Sequence, residues 1–399
     1  MTFELDSWVP PLYESLHRRP ELGMHEHETA KLLASRLEHE GYDVRRGVGG
    51  TGVVARLCRG RGPTICARAE LDALPILEAT GSAFASLTAG VMHACGHDLH
   101  LAALVSAAAQ LAVHPQFAKG EVVIILQPGE ELGLGAAAML DDDLRGLVER
   151  PALLLGQHVT PYAPVGAITS TPGVAMAAAD TVRIVVQGAG GHSSTTGDTR
   201  DPVHFAIFLS HRLQTIVGRD IGPFDQAVVT IPSIDARSAP GVRALTAEIT
   251  LSIRTISDRV RESIFARIEQ LLRAEAIASD LTVGADGDVQ IIHELHVPAV
   301  INEPRLLAAV AHTHRENLSL RHLSVQPAMA SDDFSVLGAG LGCPSAFWFI
   351  GSGAPGSKLG YAESQCHTNR YLPHPSTLAL GASAMREAIL AGLTGHLLD

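Results

Sequence analysis

DLHLAALVSAAAQLAVHPQFAKGEVVIILQ, residues 98–127, joins an alanine-rich segment to a run of aliphatic residues. The first part, residues 98–113, has the composition of a buried helix, and Glu121–Gln127 has the β-branched content of a strand. A shorter strand pattern, Thr64–Ala67, comes before the helix. Strand, helix and strand in this order predict an α/β domain with a mostly parallel sheet and helices on both faces.

A different pattern begins after Thr171-Pro172-Gly173. It contains strand, helix, strand, strand, helix and strand, which is the split βαβ order of a ferredoxin-like sandwich. The predicted strands are Asp180–Gln187, Gln226–Ile234, Leu245–Thr255 and Leu281–Ile292, and the predicted helices are Val203–Val217 and Asp258–Ala278.

The chain beyond this unit returns to the first pattern. A helix is predicted near Glu303–Glu316 and an apolar strand at Ser345–Ile350. We therefore predict that one domain is inserted within another. Residues 1–175 and 293–399 would form the α/β domain, and residues 176–292 the βαββαβ insertion.

Composition excludes several classes of protein. The chain has 399 residues, 46% of them hydrophobic and 18% charged, which is typical of a globular protein with two or more domains. A net charge of -12 disfavours nucleic acid and anionic membrane surfaces as partners. No run of about 18 apolar residues predicts a membrane span, and the N-terminal segment lacks the pattern of a secretory signal. Five scattered cysteines argue against a disulfide framework and favour the reducing cytoplasm.

The motif His93-Ala94-Cys95-Gly96-His97-Asp98 places a thiol and an imidazole two residues apart. Both groups are good ligands for divalent metals such as Zn²⁺. The alternative is structural: Cys95 is a buried thiol, and Asp98 caps the helix that follows. The motif alone leaves both interpretations open.

The motif Gln127-Pro128-Gly129-Glu130-Glu131 directly follows a predicted strand. Open α/β sheets place their ligand sites at the carboxyl ends of strands. One of the two adjacent carboxylates could hold a metal while the other faces a water molecule. The alternative is a solvated acidic turn.

Two more histidines are candidates. His158, in Gly156-Gln157-His158, follows an apolar strand pattern, and His367, in Gln365-Cys366-His367, lies in a polar loop near the end of the sequence. A single histidine is more often structural than a ligand. A two-metal site, however, needs several nitrogen, oxygen and sulfur ligands from different strand ends. Five residues would supply them and leave Glu130 as a general base: Cys95, His97, Glu131, His158 and His367.

The sequence resembles the aminoacylase and carboxypeptidase family of two-metal peptidases. Within that family it is similar to the amidohydrolase branch of hippurate hydrolases, N-acyl-amino-acid deacylases and auxin-conjugate hydrolases. The resemblance covers almost the whole chain, and HACGHD followed by PGEE at this separation is its most specific part. The matching segments are HRRPELGMHEHET (17–29), RAELDALPI (68–76), MHACGHDLH (92–100), QPGEE (127–131), GQH (156–158), GGHSS (190–194) and QCHTNRYLP (365–373).

The resemblance implies two divalent metal ions bridged by the thiolate of Cys95. Their other ligands would be His97, Glu131, His158 and His367. Thiolate and imidazole ligands favour Zn²⁺, and the carboxylate is compatible with Mn²⁺ or Co²⁺. Glu130 would be the base toward metal-activated water. The substrate would be a small N-acyl amino acid, cleaved to a carboxylic acid and a free amino acid.

The resemblance also implies that the insertion is a lid through which a homodimer forms. Taken alone, His192 would be interpreted as a loop residue that fixes a turn. The resemblance instead assigns it to the substrate oxyanion, commonly reached from the partner subunit. A substrate carboxylate needs a cation, for which Arg254 is the first candidate and Arg243 the second.

The sequence departs from the family pattern at three places. Glu70 stands where Asp is usual, so any hydrogen bond it makes near the metals must be re-aimed. The stretch Gly241-Val242-Arg243-Ala244 replaces an Asn-x-Ile-Pro segment, and Thr195-Thr196-Gly197 replaces the Pro-His that usually follows the lid histidine. These changes concern the substrate, because every expected ligand and the base are present.

Three other functions compete with amide hydrolysis of acylated amino acids. A dipeptidase or carboxypeptidase would use the same two-metal site. A metal-binding protein without catalysis would not need Glu130 beside Glu131. A redox protein built on Cys95 would need a resolving cysteine, and the sequence has none nearby.

Overall fold

The computed structural model describes residues 4–195, 200–360, 362 and 364–397. The chain divides into two compact units. Unit 1 comprises the chain up to Ala175, Val300–Gln326 and the chain from Asp332, and unit 2 comprises Met176–Ala299 and Pro327–Ser331.

The helices and strands alternate along most of the chain. In chain order they are α1 Val9–Arg18, α2 His27–His39, β1 Asp43–Val48, β2 Gly52–Cys58, β3 Thr64–Glu70, α3 His97–Ala112, β4 Glu121–Gln127, α4 Gly135–Asp141, α5 Leu144–Leu147, β5 Leu153–Pro164, β6 Ile168–Ser170, β7 Gly173–Met176, β8 Ala178–Gln187, α6 Pro202–Leu213, α7 Ile216–Arg219, β9 Ala227–Asp235, β10 Thr246–Thr255, α8 Asp258–Ala278, β11 Val289–Val297, β12 Val300–Asn302, α9 Pro304–Leu318, β13 His322–Ser324, α10 Phe334–Leu341, β14 Ser345–Gly353 and α11 Ser376–Leu393.

Unit 1 is built on a large sheet with the strand order β1-β2-β4-β3-β5-β14-β6-β13. Its central strands β4, β3, β5 and β14 are parallel to one another. The strands β1 and β2 extend one side with antiparallel pairing, and β6 pairs antiparallel with β14. The predicted α/β fold with parallel strands is therefore confirmed, with antiparallel strands added toward the margins.

The central strands are covered on both faces. Successive side chains of a strand point to opposite faces, yet both sets are buried in β3 and β4. In β3, Ala67 and Ala69 join the hydrophobic core, while Arg68 and Glu70 alternate with them and therefore face the other side. This alternation separates an apolar layer from the buried polar layer that supports the site described below.

Unit 2 is a four-stranded antiparallel sheet in the order β11-β8-β10-β9, with the helices α6 and α8 packed in its core. The predicted βαββαβ order of this unit is confirmed. Its last strand begins at Val289, so the prediction of a strand from Leu281 was wrong at that end. The reason is a turn before the strand, in which Gly287 N donates to Gly284 O and Gly284 N donates to Val289 O.

No helix in the described ranges is long and apolar enough to cross a membrane. All five cysteines are free thiols in this structure.

Candidate metal centre

The site lies where several strands of unit 1 end. The turn that carries Glu130 and Glu131 follows β4, and Asp72 follows β3. His158 lies within β5, and Cys95 lies just before α3. The strands β3, β4 and β5 are parallel, so their carboxyl ends meet at one edge of the sheet. Residues far apart in sequence are thereby brought together.

The five candidate ligands form two groups that share Cys95. One group is Cys95, His97 and His158, and the other is Cys95, Glu131 and His367. Within each group the candidate ligand atoms all lie within 4.8 Å of one another. The donor set of thiol, imidazole and carboxylate is one that divalent transition metals prefer.

Cys95 Sγ is the atom common to both groups. It lies 3.4 Å from Nε2 of His158 and 3.3 Å from Nε2 of His367. The same nitrogen of His367 lies 3.3 Å from Oε1 of Glu131. One sulfur between two imidazoles and a carboxylate is the arrangement needed for a ligand that bridges two metal ions.

His97 is oriented by Asp72. Its Nδ1 donates to the main-chain oxygen of Asp72 at 2.9 Å and to Oδ1 at 3.2 Å. Its other ring nitrogen, Nε2, is buried and has no hydrogen-bond partner among the described residues. A buried polar atom without a partner is costly, whereas an imidazole held through Nδ1 by a carboxylate is the usual form of a metal ligand. The residues present therefore fit a bound metal.

His158 is arranged in the same way. Its Nδ1 donates to the carbonyl of Val159 at 2.6 Å, which leaves Nε2 toward Cys95. Burial and the neighbouring His100 hold the pKa of His158 well below its usual range, so the ring is neutral. A neutral imidazole has the lone pair that metal coordination requires.

Glu130 lies beside the two ligand groups but belongs to neither of those that contain Cys95. Its Oε2 lies 3.8 Å from Nε2 of His97. Burial, followed by the charges of Asp332 and Glu131, raises the pKa of Glu130 well above its ordinary value. A buried carboxylate beside the ligand groups, but a member of neither, is a candidate general base.

A buried polar layer lies behind the ligands. Arg68 donates to Glu70, to Asp332 at 2.9 Å and to Asp333 at 3.1 Å. Burial alone would raise the pKa of Glu70, but Arg68 and His100 hold it well below its usual range. Glu70, one methylene longer than the usual Asp, therefore contacts both Arg68 and His100 and stays ionised.

Glu70 connects this layer to a ligand strand. Its Oε2 accepts a hydrogen bond from Nδ1 of His100 at 2.8 Å, and Nε2 of His100 accepts one from Val159 N at 2.9 Å. Val159 directly follows His158. Glu70, through His100, thus supports the main chain of β5 next to the candidate ligand His158.

Sequence reasoning missed Asp332 and Asp333. Both are buried, and an oxygen of each lies within 4.8 Å of a carboxylate oxygen of Glu130. The available signal was the pair of adjacent carboxylates directly before α10, which resembles the Glu130-Glu131 pair after β4.

Cys366 was also missed. Its thiol interacts with that of Cys95 and raises the pKa of Cys95 well above its usual value. His367 N donates to Ala94 O at 2.8 Å, which holds the two segments together, and His367 has a left-handed φ of 63°. The fold therefore places a second cysteine beside Cys95, although the sequence has none nearby.

The remaining candidates lie in unit 2. Nδ1 of His192 accepts hydrogen bonds from N and Oγ of Ser194 at 3.1 and 2.7 Å. Arg254 donates to the hydroxyl of Ser331. The stretch 241–244, which differs from the family pattern, is hydrogen-bonded to the loop of His192, since Arg243 N donates to Gly191 O at 2.8 Å. Of the other departure, 195–197, the last two residues lie outside the described ranges.

Comparison with known proteins agrees with this geometry. The sequence profile described as peptidase family M20/M25/M40 matches residues 66–391. The thermostable carboxypeptidase 2 of Saccharolobus solfataricus is 29% identical over 97% of this chain and 95% of its own length. The hippurate hydrolase of Campylobacter jejuni is 34% identical over 86% of this chain and 88% of its own. A crystal structure of a dinuclear metal-binding peptidase of the M20 family from Bacillus subtilis superposes with a TM-score of 0.78 at 26% identity, covering 97% of this chain and 98% of that one.

Proposed function

The chain belongs to peptidase family M20/M25/M40 and is a metal-dependent amide hydrolase, and on that premise we propose that it cleaves N-acyl amino acids to a carboxylic acid and a free amino acid. The observation that carries the proposal is the position of Glu130 beside two ligand groups that share the thiol of Cys95. A structural metal site would not require this additional carboxylate. Small acylated amino acids are favoured as substrates by the similarity to the hippurate hydrolase.

Two divalent ions would be held by the two groups described above, with Cys95 common to both. We propose Zn²⁺ or Mn²⁺, with Co²⁺ also suited to the mixed thiolate, imidazole and carboxylate donors. When bound, the ions polarise the substrate carbonyl and lower the pKa of a coordinated water to about 7.

Glu130 would move the proton during the reaction. Its carboxylate accepts a proton from the attacking water and then returns it, as a general acid, to the nitrogen of the leaving amine. His192 would stabilise the negative charge that develops on the carbonyl oxygen. Arg254 would bind the carboxylate of the amino acid, for which a guanidinium offers paired donors.

A second candidate activity uses the same site. The similarity to a carboxypeptidase favours hydrolysis of peptides with a free amino group. The two activities differ in the group that the site accepts on the carbonyl side of the scissile amide, an acyl group or an amino acid with a free amino group, and they share the base and the ligands. Free thiols at all five cysteines suit a cytoplasmic location for either activity.

Removal of metal is expected to abolish hydrolysis and its return to restore it. The protein would be stripped with a chelator and given Zn²⁺, Mn²⁺ or Co²⁺, and amine release would be measured from N-acyl amino acids and from unblocked dipeptides. Restored cleavage of the acylated substrates supports the proposal. Cleavage of the dipeptides alone favours the carboxypeptidase, and no cleavage of either with metal bound contradicts both.

We also propose that unit 2 forms a homodimer. Its strand β9 lies at the edge of the sheet and pairs, among the described residues, only with β10. An unpaired strand edge is a template for pairing with another strand. The side chains of Ile207 and Phe208 on α6 are 57% and 48% exposed, and Ile234 on β9 is 49% exposed. Exposed apolar residues beside an open strand edge are typical of a surface that is buried on association.

If His192 acts on the substrate bound by the partner subunit, two inactive variants should restore activity when mixed. We expect Glu130→Gln and His192→Ala subunits to be nearly inactive separately. Co-expressed, they would form mixed dimers with one intact site, so that statistical assembly yields about a quarter of the activity of the unmodified protein.

The control pairs Glu130→Gln with Cys95→Ala, two changes in the same unit that cannot complement each other through His192. Adding Phe208→Glu to both complementing subunits should reduce the dimer fraction, measured by light scattering, together with the restored activity. A mixture that stays inactive despite confirmed mixed dimers would refute the contribution of His192 from the partner.

A further inference from the structure

The segment HRRPELGMHEHET, residues 17–29, supplies neither a ligand nor the base. Within it, Glu26 is wholly buried. Its Oε1 accepts hydrogen bonds from Gly129 N at 2.8 Å and Met24 N at 2.9 Å, and its Oε2 accepts one from the hydroxyl of Thr51. A buried carboxylate therefore holds the peptide nitrogen of the residue directly before Glu130.

A second buried carboxylate holds the other side of the same turn. Oδ2 of Asp72 accepts a hydrogen bond from Glu131 N at 2.8 Å, the residue directly after Glu130. The two peptide nitrogens that flank the base are thus bound to Glu26 on one side and to Asp72 on the other. Of these two carboxylates, only Asp72 also contacts a candidate metal ligand through its side chain, His97.

The segment around Glu26 also packs closely on the turn. Gly129 has a φ of 54°, a conformation that favours glycine, and a Cβ at this position would lie 2.7 Å from Sδ of Met24. Met24 and Glu26 therefore contact Gly129 through both packing and hydrogen bonding. Without the carboxylate of Glu26, the buried Gly129 N would lose its partner, and the turn would have to move to find another.

We propose that Glu26 is a positioning residue for catalysis, which fixes the amino side of the turn that carries Glu130. The inference rests on the proposed role of Glu130 as the base. Small displacements of a catalytic group have large effects on rate, since a misplacement of about 1 Å can cost about 100-fold. The role of Glu26 is geometric and does not require its charge.

Two substitutions at Glu26 separate position from charge. In Glu26→Gln, the amide oxygen can accept from Gly129 and Met24 while the amide nitrogen donates to the hydroxyl oxygen of Thr51. This variant should keep kcat within about threefold of the unmodified protein, because every hydrogen bond has a substitute. Glu26→Leu has a similar volume without an acceptor and should lower kcat by about 100-fold, with metal content and KM little changed.

Glu21 offers a matched control in the same segment. Its carboxylate accepts hydrogen bonds from Glu28 N at 3.1 Å and Thr29 N at 2.8 Å at the start of α2. Among the described residues, it has no hydrogen bond to the turn that carries Glu130. Glu21→Leu should lower the melting temperature and leave kcat within about twofold. A kcat for Glu26→Leu that matches that of Glu21→Leu, or a loss of metal from Glu26→Leu, would overturn the proposal.

Hydrogen exchange provides a readout independent of activity. In Glu26→Leu, the amides of residues 129–131 should exchange faster than in the unmodified protein, whereas in Glu26→Gln and Glu21→Leu they should not. If the unmodified protein cleaves no acylated amino acid, the proposed function fails and the exchange measurement still decides whether Glu26 holds the turn. Unchanged exchange in Glu26→Leu would contradict the inference even in an active enzyme.

Discussion

Glu130→Gln is expected to lower turnover by about 10³-fold or more while the protein keeps its full metal content. The amide has nearly the size of the carboxylate and is a very poor proton acceptor, so it cannot take the proton of the attacking water. Glu130 belongs to neither of the groups that contain Cys95, and metal content should therefore not change. Two quantities are measured: kcat, and the number of metal ions per subunit by inductively coupled plasma mass spectrometry.

Glu131→Gln is the matched comparison, because it makes the same chemical change one residue away. Glu131 belongs to the group with Cys95 and His367, so this variant should lose metal and activity together. Near-normal turnover of Glu130→Gln would show that another group is the base. Loss of metal from Glu130→Gln would instead place this residue among the ligands.

Cys95→Ala is expected to have the largest effect on metal content. Its thiol is the atom common to both ligand groups, and its removal leaves each group with only two residues. Substitution of residues that only support a ligand weakens metal binding by about 10 to 100-fold, so loss of a shared ligand should exceed 100-fold. Isothermal titration of the stripped protein with Zn²⁺ measures the effect.

Cys366→Ser controls for removal of a thiol at the same place. Cys366 contacts Cys95 but belongs to neither ligand group, and the oxygen of serine retains an acceptor at this position. We expect this variant to bind the same amount of metal as the unmodified protein. If Cys95→Ala retains both ions with unchanged affinity, the proposed bridging ligand is wrong.

The departure at position 70 has a physical explanation in the fold. The carboxylate of Glu70 contacts Arg68 and His100, and through His100 it supports Val159 N beside His158. The extra methylene thus serves a network behind the ligands. In unit 2, the stretch 241–244 is hydrogen-bonded to the residue before His192, since Arg243 N donates to Gly191 O.

Local patterns predicted the α/β class and the inserted βαββαβ unit, although the long helix α11 was not predicted. β4 spans Glu121–Gln127 and α8 spans Asp258–Ala278, as their apolar spacing indicated, because long periodic elements are encoded by residues close in sequence. The start of β11 was predicted at Leu281, eight residues before its position in the structure, because the Gly-containing turn at 284–287 interrupts an otherwise apolar segment. The short strands β6, β7, β12 and β13 were not predicted, because three or four residues carry no detectable period.

The sequence by itself determined the chemistry of the site, since a thiol, imidazoles and paired carboxylates at strand ends specify which atoms are available. The tertiary structure decided which residues hold those atoms in place. Asp72 orients His97, Glu26 holds Gly129, and Cys366 lies beside Cys95, contacts that join positions from 25 to 271 residues apart. The physical reason is that such contacts follow from the order of strands in the sheet, which places β4 between β2 and β3. Strand order depends on the packing of the whole core and is not contained in any local pattern of residues.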